Sequence, residues 1–414
     1  MSTPTVSHDY IGDQPSPNRV AKPQPSFAWK ALSAVASIRL TVVLFALSMV
    51  LVFFGTLGMM QHSIEETMKN YFRSWLVMIE FQTIADFGKV FIPALFSPES
   101  KIPGKIPFPG GYIIGWLMFF NLAAAHAIRF KLTWKRSGIF LLHAGVVVLL
   151  AGEFLTGQLA VETRMMIKEK DSARFAFHLE THELALIDAS NTQHDDVVVV
   201  PGEMILKAGK DKWVSDENVP VDVQLVEHHP NVKLRDIRPD EDPIATTGLG
   251  QGFGFEVLSK VKGTDSEGKI NYPGVYLKLR DKSGTELGTY LLSPWVEHRP
   301  QTVTVAGKTY QIAYRFKRTY KPFVVHLDEA THDVYPGTQV AKDFASTVRI
   351  EHPQLGEHGP IRIWMNHPMY YEGETYYQSG MFTDPETGVK TTTLQIVENP
   401  AWTFPYFACT MVSL

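Results

Sequence analysis

The sequence predicts a membrane α-helical anchor, with three spans plus the start of a fourth, that carries a large all-β antiparallel extracytoplasmic domain. Three observations predict it. Hydrophobic residues make up 45% of 414 positions but concentrate in blocks before residue 160, unlike the even spread of a soluble chain. Four cations, Arg129, Lys131, Lys135 and Arg136, separate two of those blocks and mark a cytosolic link. From Thr163 onward, short apolar and β-branched runs recur between turn residues, as strands do.

Residues 1–30 read as a disordered cytosolic tail, since Pro4, Pro15, Pro17, Pro23 and Pro25 among polar residues leave little apolar surface to offset the entropy of ordering. The first transmembrane helix is placed at 31–61. Its core, Leu40 to Met60, holds no charge and at ~1.5 Å per residue spans roughly 30 Å of hydrocarbon. A secretory signal peptide is the competing reading, but this core is too long and lacks a small-residue cleavage pattern.

Residues 62–111 form an outer loop. Within it, Glu65, Glu66, Lys69 and Arg73 interleave with Phe72, Trp75, Leu76 and Ile79, which suggests an amphipathic segment on the outer membrane surface. A helix packed against the β domain fits the same pattern. Residues 112–157 form a helical hairpin, Tyr112 to Ile128 and Gly138 to Leu155. Arg19, Lys22, Lys30 and Arg39 put the N-terminus on the side of the basic link, so three spans leave everything after Gln158 outside.

The β-rich domain is placed at 158–400. Val197–Val200, Val221–Val226, Val275–Leu279 and Thr391–Val397 read as strands, and Thr302–Val305 pairs with Thr309–Ala313 across Ala306-Gly307-Lys308. Ile361–Met365 is expected to pair with Thr375–Gln378 around a turn near Tyr371-Glu372-Gly373. Gly248 to Gly254 lacks the strand and helix of a phosphate loop and reads as a flexible connection. Residues 401–414 form an apolar tract with interfacial aromatics, expected to be the start of a fourth span that a longer chain would complete.

Composition excludes several functions. The net charge is −4 and the cations are dispersed, so nothing proposes nucleic acid as a partner. The one cysteine, Cys409, cannot form a Cys-x-x-Cys redox pair, and without Cys-x-x-Cys-His the chain is not itself a c-type cytochrome. Neither a Ser-His-Asp nor a paired-carboxylate constellation can be assigned, so no catalytic residue is proposed.

Two histidines lie inside the hairpin, where a polar side chain is costly and functional by default. His126 sits three residues before Arg129, roughly 5 Å along the helix, and His143 seven past Arg136, about 10 Å. A neutral imidazole can ligate haem iron, and apolar helices suit a porphyrin face; hydrogen bonding to a neighbouring helix is the alternative. Glu153, near the outer end of the third span, reads as structural. His62 is ambiguous, and His178, His182, His228, His229, His352 and His358 read as solvated, for want of carboxylate or cysteine company.

Several segments resemble the ResB (CcsB) cytochrome c biogenesis proteins. They are Ser37-Ile-Arg-Leu-Thr-Val-Val-Leu44 continuing to Phe54-Gly-Thr-Leu57 and Gln61, Leu141-Leu-His-Ala-Gly145, Tyr335-Pro-Gly-Thr338, and Met365-Asn-His-Pro-Met-Tyr-Tyr-Glu-Gly373 leading to Tyr377-Gln-Ser379. Asn399-Pro-Ala-Trp402 followed by Pro405-Tyr406 resembles the entry to the family's last span, which is otherwise missing here. The resemblance implies a multi-pass plasma (inner) membrane subunit of the system II haem lyase. Such a subunit works with a ResC (CcsA)-like partner to move haem b across the membrane and deliver it to apocytochrome c. It places the family's transmembrane histidine on His143 as axial ligand to haem iron, adds little for His126, and leaves attachment itself to the partner, making this chain an accessory subunit.

Two other readings stay open. One is a membrane-anchored β-domain binding module that recruits an extracytoplasmic protein without haem. The other is a b-type cytochrome, which would need two axial ligands in this chain; the different depths of His126 and His143 count against it.

Overall fold

The computed structural model describes residues 26–94, 101–129, 133–262, 270–337 and 341–414. The expected tail up to Pro25, Lys131 and Thr338 lie outside the described residues. Where one helix was expected at the N-terminal end, there are two. Ser26 accepts a hydrogen bond from the Trp29 N–H and caps α1 (Phe27–Val35), so residues 26–30 are not tail. The chain breaks at Ala36 and Ser37 before α2 (Ile38–Gly58).

The outer loop folds into a small layer of its own. Ser63 caps α3 (Ile64–Thr67), which runs into a π-helical turn at Met68–Phe72. β1 (Leu76–Glu80) and β2 (Lys105–Pro109) pair antiparallel on either side of α4 (Phe81–Phe91). The alternation at 76–80 has period two and buries Val77 and Ile79, so this stretch is a strand and not one face of an amphipathic helix. Val77, Ile79 and Tyr71 share a core with Leu51 of α2 and Ile114 of α5 (Gly111–Arg129).

A 3-10 turn at Trp134–Arg136 leads into α6 (Ser137–Leu159). Ile38–Gly58, Gly111–Arg129 and Trp134–Leu159 are long and apolar enough to cross a membrane.

The β domain begins two residues after α6. Its first strands are β3 (Val161–Lys168), β4 (Ser172–Asp188) and β5 (Asp196–Pro201), followed by a short helix, α7 (Gly202–Ala208). β6 (Trp213–Val214), β7 (Val221–His229), β8 (Val232–Asp236), β9 (Phe253–Val257), β10 (Gly274–Asp281) and β11 (Glu286–Leu292) come next. β12 (Gln301–Val305), β13 (Lys308–Val334), β14 (Ala341–His352), β15 (Gly356–Trp364), β16 (Met369–Tyr371), β17 (Glu374–Thr383) and β18 (Lys390–Glu398) complete it.

Ten strands form one antiparallel sheet in the order β15-β14-β13-β4-β3-β18-β17-β16, with β12 on β13 and β5 on β4; β11-β10-β7-β6 and β8-β9 form smaller sheets. β4 and β13, 17 and 27 residues long, serve two cores. At one end Leu184 and Tyr314 pack with Val223 and Leu277 of the four-stranded sheet; at the other, Val325 and Leu327 pack with Ile350, Tyr376 and Leu394. The two cores share strands, so the domain is one continuous body.

The hairpin across 306–307 forms as expected, with Val305 opposite Lys308 and positive φ of 50° at Ala306 and 79° at Gly307, as a two-residue primed turn requires. The next expected hairpin is corrected. Glu372 and Gly373 close an equally tight turn, which makes Met369–Tyr371 the partner of β17, while 361–364 pairs with β14. The glycine-rich connection is packed as well: it forms a 3-10 turn, and a Cβ at Gly250 would lie 2.4 Å from the Cβ of Ala245.

The last apolar tract forms α8 (Phe404–Ser413), which lies antiparallel along α6. Gly145 and Gly152 permit the approach, because a Cβ at either would come within 2.6 Å of Val412 or Phe404. The β1–β2 layer and the β domain lie at the same end of the helices, joined by an ion pair between Lys260 and Glu66 at 3.6 Å.

A histidine pair between two apolar helices

α5 runs away from the β domain and α6 returns toward it, so His126 and His143 both fall at the far end. About 24 Å of helix separates His143 from Leu159 at ~1.5 Å per residue. Their ring centroids are 4.8 Å apart with planes at 59°. The depth difference counted from the flanking cations therefore does not keep them apart. Helical side chains lean toward the N-terminus of their own helix; in antiparallel helices that tilts His126 inward and His143 outward, and the two rings converge.

Each imidazole is oriented by its own helix. His126 Nδ1 lies 3.0 Å from the Leu122 carbonyl and His143 Nδ1 lies 2.8 Å from that of Ile139. A carbonyl only accepts, so Nδ1–H donates in both, and the neutral ring carries its lone pair on Nε2, the tautomer a metal ligand needs. His143 is half-buried and faces α5 and not away from it.

The pair cannot clamp a porphyrin between its two members as it stands. Two imidazoles on opposite faces of one iron, with bonds of roughly 2 Å each, need ring centroids ~6 Å apart. The 4.8 Å found leaves no room for a macrocycle. One imidazole on one face, with the second ligand from another chain, is compatible with this spacing. The b-type cytochrome reading thus loses support through closeness and not through unequal depth.

A second polar device in the helices is absent from the sequence reading. Asn121 of α5 is buried; its amide donates to the carbonyls of Val35 at 2.6 Å and Ser37 at 3.1 Å, and its oxygen accepts from the Thr41 hydroxyl at 2.7 Å. It satisfies the Val35 carbonyl at the break between α1 and α2 and adds a donor to that of Ser37, which also accepts the Thr41 N–H. The signal was available, since a polar side chain in an apolar run is informative whatever its type.

The remaining candidates separate. Glu153 reaches Arg73 at 3.7 Å and His62 reaches Glu66 at 3.6 Å. His178, His182 and His228, expected to be solvated, are half-buried. The His178 Nε2 sits 3.0 Å from the Thr319 hydroxyl, and burial, with Lys317 and Lys321 nearby, holds its pKa below the usual value. His182 stacks on Tyr314 with planes 16° apart and meets Phe316 at 5.0 Å; burial and then His228 push its pKa down to about 4. His352 Nδ1 accepts the N–H groups of Gln354 and Leu355 and so closes its own turn. Among the described residues, no group of three or more His, Cys, Asp or Glu side chains could hold a metal ion.

Residues 287–410 match the ResB-like family, a family associated with cytochrome c biogenesis. The match runs from β11 into α8; α5, α6 and both histidines lie outside it. No curated protein shows significant similarity to the chain.

Proposed function

From the match of residues 287–410 to the ResB-like family, we propose that the chain is the accessory subunit of a system II cytochrome c assembly complex. In this reading it works beside a ResC (CcsA)-like membrane partner and helps pass haem b across the inner membrane to apocytochrome c. The observation that carries the reading is the convergence of His126 and His143 between two apolar helices, each with Nδ1 tied to its own backbone.

Haem is cargo here, and iron ligation is the chemistry the site supplies. His143 offers Nε2 to one face of the iron, and the Ile139 carbonyl holds the ring and raises its basicity. His126 stands beside it as a polar wall and a second, weaker candidate ligand. A second ligand would come from the partner in this reading, in keeping with the 4.8 Å spacing of the two rings. In this reading the histidine end is cytosolic, in line with the cations of the link, and the β domain, at the opposite end, faces the compartment where apocytochrome c waits.

The test is co-expression with the partner and purification of the complex. The wild type is expected to carry haem with a Soret band, and His143→Gly to lose most of it and regain it with added imidazole. His126→Ala is expected to have the smaller effect. Unchanged haem content and unchanged cytochrome c maturation in His143→Gly would overturn the proposal and leave an anchored β-domain binding module.

A further inference from the structure

The seam between α5 and α6 has a second feature, at the end nearer the β domain. The two helices touch only sparsely, and between them lies a cavity of about 620 Å³ that begins at Gly111 and reaches Phe119, with Leu150 to Leu155 as its opposite wall. Its walls are apolar and aromatic: Trp116 meets Phe154 edge-on at 5.0 Å, and Tyr112 meets the same ring at 5.8 Å. Gly115 leaves part of the α5 wall bare, for a Cβ built there has nothing within 4 Å. Such a space takes an apolar body roughly 12 Å long, the rise of eight helical residues.

Among the described residues, two charges line it, and they have opposite sign. The Arg73 guanidinium and the Glu153 carboxylate are 3.7 Å apart, beyond hydrogen-bond length, and are 37% and 68% exposed. A head group with both signs is complementary to that pair. The guanidinium suits a phosphate by its planar fork, and the carboxylate suits a hydrogen-bonding ammonium. A purely anionic head would meet Glu153, and a quaternary amine has no N–H to give it.

We propose that this cavity binds one acyl chain of a phosphatidylethanolamine molecule, with the phosphate on Arg73 and the primary ammonium on Glu153. The inference rests on the reading that α5 and α6 cross a bilayer, but not on haem binding. A lipid there closes the sparse seam on the β-domain side and leaves the histidine end to the cargo.

The test is to reconstitute the purified full chain in nanodiscs of phosphatidylethanolamine, phosphatidylglycerol or phosphatidylcholine and count retained lipid by native mass spectrometry. The wild type should keep one phosphatidylethanolamine in preference to the other two. Gly115→Leu, which projects a side chain into the cavity from a position where a Cβ has nothing within 4 Å, should lose most of it, and Gly115→Ala should stay near wild type. Glu153→Gln should lower the preference over phosphatidylglycerol by about tenfold, the size of one charge-assisted hydrogen bond. Equal lipid retention in Gly115→Leu, or an unchanged preference in Glu153→Gln, would overturn the proposal. So would loss of haem in Gly115→Leu with lipid unchanged, since the cavity would then hold porphyrin. Haem lost only in His143→Gly and lipid lost only in Gly115→Leu would show two independent sites.

Discussion

The β domain and the helical layer bury apolar surface in opposite ways. Leu184, Val223, Leu277 and Ile350 are fully enclosed by strands of their own domain, whereas Val42, Val43, Phe45 and Met49 of α2 and Leu142 of α6 stay exposed. A folded soluble domain closes its core on itself; a helix whose apolar face meets nothing within the chain is finished by lipid or by another helix. The β domain thus closes its own core, while the helices leave apolar surface open.

Two ion pairs make the sharpest version of that contrast. Arg315 and Glu183 stand opposite each other on β13 and β4, 3.0 Å apart and 3% and 7% exposed. Arg73 and Glu153 are open to solvent. Glu183→Ala strands a buried guanidinium and is expected to cost about 3–5 kcal/mol, while Glu153→Gln should change stability by less than about 1 kcal/mol. Thermal unfolding of the detergent-solubilised protein, followed by the β-sheet circular dichroism signal, reads both. Equal losses would mean that the two regions melt as one unit.

A pH profile distinguishes the regions next. Burial beside Tyr314 and Phe316 lowers the His182 pKa from about 6.5 to about 4. The unfolded chain therefore takes up a proton between those values while the native domain does not. The stability this group supports is full above pH ~6.5 and falls as pH drops toward 4, by on the order of 2–3 kcal/mol. His182→Phe keeps an aromatic ring against Tyr314 and removes the titration, so its melting temperature should fall less than that of the wild type between pH 7 and pH 4.5. Parallel profiles would show that His182 titrates normally.

What could be read from the sequence follows the range of the interaction that decides it. The strands at 197–200, 221–226 and 275–279 and the turn at 306–307 depend on local period and turn chemistry and form as read. The partner of 361–364 and the pairing of β1 with β2 depend on segments far apart in the chain, and alternation alone cannot choose among them. The same holds within the site. His143 and His126 are conspicuous as polar residues in apolar runs, but their convergence comes from the opposed lean of side chains on antiparallel helices, which residue counting ignores. The burial of His182 arises from a ring on β13 more than a hundred residues away, and nothing next to His182 foretells it.

The smallest expected effect tests whether the helical layer has any internal lock. Asn121 ties α5 to the break between α1 and α2 through the carbonyls of Val35 and Ser37 and the Thr41 hydroxyl. Hydrogen bonds between membrane helices contribute about 0.6–1.7 kcal/mol, so Asn121→Ala should lower stability by ~1 kcal/mol and leave the β-domain melt nearly unchanged. The local consequence is the better readout. With the Asn121 donor gone from Val35 and Ser37 left to Thr41 alone, residues 35–41 should exchange amide hydrogens faster in the variant, while amides of β4 and β13 keep their protection. If exchange at 35–41 does not change, helix packing alone holds α1 against α5, and the helices have no polar lock at this break.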